Sequence, residues 1–350
     1  QAARFVTEME YQHVVFEEFA RKLSPAIAPF AAYNPQLDPD IPAEFAHAVY
    51  RFGHSMLTER IDRIDVNGND VGIDLIQAFL NPAAFNAGAP TAAEAAGDIV
   101  RGMSKQTGSE IDEFVTGALR NNLLGLPLDL ATLNMVRARD TGTATLNEAR
   151  AEFQLTPYAN WADLGANLRH QGTLVNLIAA YGRHPDITGA TSVADKRAAA
   201  EALIALAQTS PPDPTDVVAY PLGRDDPAYI ADLAAWQDAV DLLTTNTARG
   251  SGVDDVDLWV GGLAESNDPI GGAGNLLGPT FDHVFRTTLE NLQEGDRFYY
   301  LDRLAGLSLL TEIEGNTISE MFIRNTDAVD LPADLFAVPG MTIRMREGQA

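Results

Sequence analysis

The sequence predicts a mainly α fold with few short strands, in a single domain spanning residues 1–350. Three observations carry that expectation. Apolar residues recur at i, i+3, i+4 and i+7 along most of the chain, which is the spacing of one helix face. Only residues 60–76 change to a period of two. No internal repeat and no linker divides the chain, and 46% hydrophobic with 21% charged residues is globular composition.

Residues 2–23 place Phe5, Met9, His13, Phe16, Phe19 and Leu23 at helical spacing. The stretch 24–40 carries four prolines and reads as an ordered loop. Pro42 suits a first helical turn, where its missing N–H costs nothing. From there 43–57 is predicted helical, with Phe45, Val49, Phe52 and Met56 on a core stripe. His47, Tyr50, Arg51 and His54 lie on the opposite side. Gly53 costs a helix about 1 kcal/mol against Ala, and one reason to keep it is room for something flat beside His54. A solvated face with two ordinary histidines satisfies the same pattern. In 60–76, Ile61, Ile64 and Val66 face Val71, Ile73 and Leu75 across Asn67-Gly68, a hairpin signal. The acids of that turn do not make a calcium loop, because Gly68 is misplaced and position twelve is Ile76.

Residues 92–124 predict two further helices, and Leu130 to Asp140 another. There Asn134 and Arg137 share a face beside Leu130 and Leu133, and such groups are costly to bury without partners. Thr145 to Phe153 predicts a short helix with Asn147 and Arg150 at i, i+3. Helices follow at 164–181, 190–208 and 230–245, with 209–229 a loop. Residues 257–262 read as an aromatic–glycine turn. Pro279 to Leu292 and Thr317 to Phe322 are the last helices, followed by an extended tail from Asn325.

The totals exclude several functions. With 24 Lys and Arg against 49 Asp and Glu the formal charge is −25, a field that repels nucleic acid and anionic lipid. No apolar run is long enough to span a membrane. Cysteine is absent, which removes disulfides, thiolate metal sites and thiol nucleophiles. Gln1 is no start methionine and helical periodicity begins at once, so the natural beginning is expected to be missing. There is no phosphate loop: Gly271-Gly272-Ala273-Gly274 follows no clear strand. There is no H-E-x-x-H, and no G-x-S-x-G elbow. A histidine helix, an Asn–Arg helix and no local catalytic motif together suit a protein whose bound cofactor does the chemistry.

Five ordered blocks resemble the animal-type haem peroxidases (the peroxidase–cyclooxygenase superfamily), in particular bacterial members often joined to calcium-binding repeats. They begin with Glu10-Tyr11-Gln12-His13-Val14-Val15-Phe16-Glu17-Glu18-Phe19. Asp38-Pro39 with Tyr50-Arg51-Phe52-Gly53-His54-Ser55-Met56 follows. The most specific block runs from Leu128 through Asn134-Met135-Val136-Arg137-Ala138-Arg139-Asp140 to Gly142. Asp257 to Glu265 and Gly295-Asp296-Arg297-Phe298-Tyr299-Tyr300 complete the set.

The resemblance implies haem b, with His54 as proximal iron ligand and Asn134 accepting the other ring N–H. It implies Arg137 and Arg51 on the haem propionates, with a structural Asn and ordinary ion pairs as the plain alternatives. Arg139 and Asp140 are expected to hold the fold, and His47 to be a surface residue. The family's distal histidine and arginine, its acids that attach haem covalently and its calcium loop have no counterpart here. They are expected upstream, in a separate partner chain or an absent segment. Residues 183–250 are expected to be an insertion of the bacterial branch.

The implied activity is oxidation of a small donor (halide, phenol or Mn(II)) by hydrogen peroxide, in a secreted bacterial protein. Such relatives are exported without a cleaved signal. Two other readings stand beside it. One is a weakly active haem-fold adhesion module. The other is a fatty-acid dioxygenase, whose radical tyrosine three residues before the proximal histidine is replaced here by Arg51.

Overall fold

A computed structural model describes residues 1–86, 91–121, 123, 126–246, 250–267 and 274–338. Helices dominate. Among the described residues the strands are Arg60–Ile61 and Ile73–Asp74, an antiparallel pair with Arg60 opposite Asp74. The glycine run Gly271-Gly272-Ala273 and the end of the extended tail lie outside the described residues.

Two compact units are distinguished by their internal contacts. The first holds the described residues of Gln1–Arg137, Asp268–Leu277 and Asp282–Ala350; the second holds those of Ala138–Asn267 and Gly278–Phe281.

In the first unit the predicted N-terminal helix is present but is not α throughout. Ala2–His13 is α, Val14–Ala20 is a π segment, and Arg21–Leu23 returns to α. Met9, His13, Phe16 and Leu23 are buried as their spacing requires. Arg21 follows the π segment. It donates to the carbonyls of Phe16 at 2.9 Å and Ala28 at 3.0 Å and pairs with Glu17 at 2.6 Å. Its side chain thus ties the π segment, through the Phe16 carbonyl, to the following loop, through the Ala28 carbonyl.

The predicted helix over 43–57 is divided. Ala43–His47 is α, Ala48 leaves helical geometry at φ −124° and ψ −70°, and Val49–His54 is a 3-10 turn. Packing accounts for the division. Phe45 stacks on Phe285 at 6.2 Å between ring centres, and Phe52 meets the same ring edge-on at 5.8 Å. Ala48 and Val49 are fully buried between them in sequence.

The hairpin forms as expected. Gly68 takes φ +84°, and the Asp65 carboxylate accepts the N–H groups of Asn67 and Asn69. The hairpin lies on the helix Ala92–Met103. Ile64 N–H donates to the Asp98 carbonyl at 2.9 Å, and Arg101 Nε to the Ile64 carbonyl at 2.9 Å. Residues 105–116 are irregular, and Gly117–Arg120 is a single helical turn.

In the second unit, Leu146–Glu152 begins in a capping box made by Thr145 and Glu148. The helix expected over 164–181 is two helices, Trp161–Ala166 and Gln171–Tyr181. The break lets Arg169 N–H reach the Ala264 carbonyl at 2.9 Å, and Ser266 N–H the Asn167 carbonyl at 2.8 Å. The aromatic–glycine stretch is not a turn but the buried helix Leu258–Ala264. A Cβ on Gly262 would lie 2.3 Å from the Phe281 ring, so the glycines there serve close packing. Trp259 of this helix is buried, as are Trp161, Leu164, Ile178 and Val256 of the same unit, each contributing about 1.5–3 kcal/mol for a full-sized apolar side chain.

Val193–Ala207 and Pro227–Thr244 follow, with residues 209–226 between them irregular apart from the short 3-10 turn Gly223–Asp225. Tyr300–Arg303 and Ser308–Glu314 are short helices in the first unit that periodicity alone did not predict. Its last described helix is Ile318–Asn325.

Candidate functional site

Three residues to a turn brings i and i+3 into register on a 3-10 helix. In Val49–His54 that geometry superposes Arg51 on His54 and Val49 on Phe52. The apolar pair is buried, and the polar pair faces the helix Leu130–Asp140. Ser55 closes the turn by donating its hydroxyl to the Phe52 carbonyl at 2.8 Å. The facing helix starts at Asp129, whose carboxylate accepts the Thr132 N–H at 3.0 Å.

Asn134 sits on that helix with no solvent exposure. Its side-chain amide lies 2.9 Å from His54 Nδ1, and its Oδ1 accepts from Arg51 NH1 at 3.3 Å. Arg51 Nε also donates to the Ala46 carbonyl at 3.3 Å. Arg51, His54 and Asn134 are thus one hydrogen-bonded group, though 83 residues separate the outermost two in the sequence. Arg137, one turn beyond Asn134, is exposed, and its charge acts on Arg51.

Burial of the ring is the main cause that lowers the His54 pKa, the Arg51 charge adds to it, and the Asn134 hydrogen bond opposes it. The imidazole is therefore held neutral, the state in which it ligates a metal. Its Nδ1 faces Asn134, and among the described residues Nε2 has no hydrogen-bond partner. Beside it, a Cβ added to Gly53 would meet no atom within 4 Å. The Arg51 guanidinium loses some of its proton affinity to burial and to Arg137, so the two arginines form a positive pair suited to carboxylates.

Other residues singled out in the sequence lie elsewhere. His47 is half-buried rather than on the surface, and its Nδ1 is enclosed without a partner among the described residues. Leu133 and Val136 are exposed, so the buried stripe of the Asn134 helix is narrower than its spacing suggests. Arg139 grips Asp257 with two bonds of 2.7 and 2.5 Å, and the Tyr181 hydroxyl donates to the same carboxylate at 2.6 Å.

Asn147 and Arg150 are both buried. Arg150 donates to Glu265 at 2.7 Å and to the Thr280 hydroxyl at 3.0 Å. Glu265, fully buried, also takes the Tyr158 hydroxyl at 2.9 Å and the Thr280 N–H at 2.9 Å. Spacing placed Arg150 on one helix face with Asn147, and nothing local pointed to Glu265.

The family model described as Animal haem peroxidase matches residues 1–192 and 230–336. Peroxidasin homolog pxn-2 of Caenorhabditis elegans is 22% identical over 354 residues, covering 96% of this chain and 21% of its own. Among solved structures, Peroxidase A from Dictyostelium discoideum superposes with a TM-score of 0.60 at 20% identity, over 95% of this chain and 50% of that one. A fatty acid alpha-dioxygenase of Arabidopsis thaliana gives 0.53 at 14% identity, over 98% and 51%. The chain thus spans about half of these solved structures and about a fifth of the nematode relative. The chain belongs to the animal haem peroxidase family.

Proposed function

We propose that this chain is the proximal part of a haem peroxidase that uses hydrogen peroxide to oxidise a small donor (halide, phenol or Mn(II)). The observation that carries the proposal is the Arg51–Asn134–His54 group. It supplies an imidazole whose Nδ1 is bonded and whose Nε2 has no hydrogen-bond partner among the described residues.

The donor set fits a haem with one adjustment. A ring whose Nδ1 accepts from the Asn134 amide carries its proton on Nε2, and ligation through Nε2 needs that proton on Nδ1. Turning the Asn134 amide about its last bond presents Oδ1 to the ring; it gives up the 3.3 Å bond from Arg51, whose guanidinium is then released toward a carboxylate. His54 would then hold the iron, with Asn134 fixing its tautomer and raising its basicity. Arg51 and Arg137 would hold the propionates, and Gly53 would leave the approach open. Bound haem would supply the redox chemistry between peroxide and the donor.

We further infer that residues 1–350 act as one domain in which 183–250 is an insertion. The gap in the family match at 193–229 supports this. Calcium, covalent haem attachment and the distal catalytic groups would come from residues outside these 350, carried by the same polypeptide or by a separate chain. An extracellular bacterial protein is the setting that the −25 charge and the absence of cysteine favour. The relatives compared above are eukaryotic, so the bacterial reading rests on the sequence blocks and the 183–250 region. Arg51 stands against a dioxygenase, since a guanidinium does not form the radical that a tyrosine forms there.

The test is an absorption spectrum and a pyridine haemochrome assay of the haem-loaded protein with its upstream segment. His54→Ala is expected to abolish the Soret band or shift it. Asn134→Leu is expected to keep the band and weaken haem retention roughly 10–100-fold. Absence of haem binding by the unaltered protein would overturn the proposal and leave the adhesion-module reading.

A further inference from the structure

Residues 217–222 read Val-Val-Ala-Tyr-Pro-Leu, six consecutive residues with no charge, in a chain carrying 73 charged ones as 24 basic and 49 acidic. A run of this kind is ordinarily buried. Here Val217 is 71% exposed, Val218 90% and Leu222 66%, and Ile230 on the adjoining helix is 56% exposed. Single exposed apolar side chains are common, but a cluster of them on an ordered surface marks a contact site.

The surface is ordered, and its own acids order it. Asp213 accepts the Thr215 N–H at 2.8 Å, and Asp216 accepts the N–H groups of Val218 and Ala219 at 3.0 and 3.1 Å. The Leu222 N–H donates to Asp226, and the Asp226 carboxylate also caps the helix Pro227–Thr244. Tyr220 points back from the run. Its hydroxyl donates to Asp232 at 2.9 Å, and its ring meets Tyr229 edge-on at 5.4 Å. These bonds tie the turn to the first two turns of that helix, the part that carries Ile230. The backbone is held while the valines and Leu222 point outward, so little entropy remains to be lost when they are covered.

We propose that this platform docks a cationic, amphipathic segment of another protein. Charge selects the occupant. Asp213, Asp216 and Asp225 flank the apolar run in the sequence and Asp232 lies on the adjoining helix, while Arg224 is the one basic residue of the sequence from 209 to 232. A basic segment with an apolar face matches both the centre and the edge. A second copy of this chain would bring its own acidic rim and a charge of −25 against it. An anionic membrane is repelled for the same reason. The run also lies in the 193–229 gap of the family match, so the shared fold does not require it. The proposal is therefore independent of haem.

The test uses the full chain and a fluorescent Lys/Leu peptide with leucines at i, i+3, i+4 and i+7, read by anisotropy at physiological ionic strength. A scrambled peptide of the same composition and Val217→Asp/Val218→Asp protein are the controls. Both valines are surface side chains, so the double variant leaves the core intact. It also makes the protein more acidic, which sets the two explanations against each other. Docking on the platform predicts binding of the amphipathic peptide, weaker binding of the scrambled one, and a loss of about tenfold or more in the double variant. Equal or tighter binding by the double variant means that the overall field alone attracts the peptide, and overturns the proposal. So does equal binding of the scrambled peptide. Concentration-dependent dimerisation abolished by the same variant, without peptide binding, would assign the face to a second copy and overturn it. Binding to phosphatidylcholine vesicles in place of the peptide would overturn it as well.

Discussion

Burial and the Arg51 charge both make protonation of His54 harder in the folded chain than in the unfolded one, where an imidazole titrates near about 6.5. The folded pKa is the lower of the two, so the unfolded state takes up the proton first as pH falls. The contribution of neutral His54 is complete above about 6.5 and is lost below it. Thermal unfolding of the haem-free chain is expected to fall off more steeply below that pH than unfolding of His54→Gln, and identical slopes would refute it. Spacing put Asn134 and Arg137 on one helix face, and the resemblance set His54 and Arg51 beside them; the hydrogen bonds join His54, Asn134 and Arg51. What brings Arg51 and His54 to one amide was not legible, because an α-helix was expected where a 3-10 turn lies. Nor could sequence show the enclosed Nδ1 of His47, or Glu265 as the partner of Arg150 115 residues away. Such pairings are set by packing between distant segments, which leaves no local pattern.

At the scale of elements, the hairpin and its tight turn could be read from Asn67-Gly68, but not the surface that receives them. That surface depends on Gly102. A Cβ there would lie 2.1 Å from the Asp62 carbonyl oxygen and 2.5 Å from the Arg63 nitrogen, both backbone atoms that cannot swing aside. Gly102→Ala improves helix propensity by about 1 kcal/mol, yet it forces the hairpin off the helix Ala92–Met103. The clash wins, and a net loss of about 1–3 kcal/mol is expected in denaturant unfolding. A stabilised variant would show that the hairpin is not seated there. The helices themselves followed from period, whereas their breaks did not. Ala48 and the 167–170 junction yield to tertiary contacts that override propensity.

For the molecule as a whole, 49 acids against 24 bases create self-repulsion that the folded state concentrates. Salt screens it, with a Debye length of about 10 Å at 0.1 M. The melting temperature is expected to rise between 0.01 and 0.5 M sodium chloride, as a calorimetric series at constant pH would show. A flat or falling series would mean that the local pairs, such as Arg101 with Asp98 at 2.7 Å, outweigh the general repulsion. The mainly α class was legible because composition and period agree along the chain. The division into two compact units was not, since no linker marks it.

The π segment Val14–Ala20 has a consequence for how relatives line up with this chain. A π turn accommodates more residues than the 3.6 of an α turn. An alignment that assumes a constant helical period through residues 2–23 will therefore place Met9 or Leu23 out of phase with the core positions of a relative whose helix is α throughout. The gap that restores the phase belongs between residues 14 and 20. A one-residue deletion is expected to be tolerated there better than anywhere else in that helix.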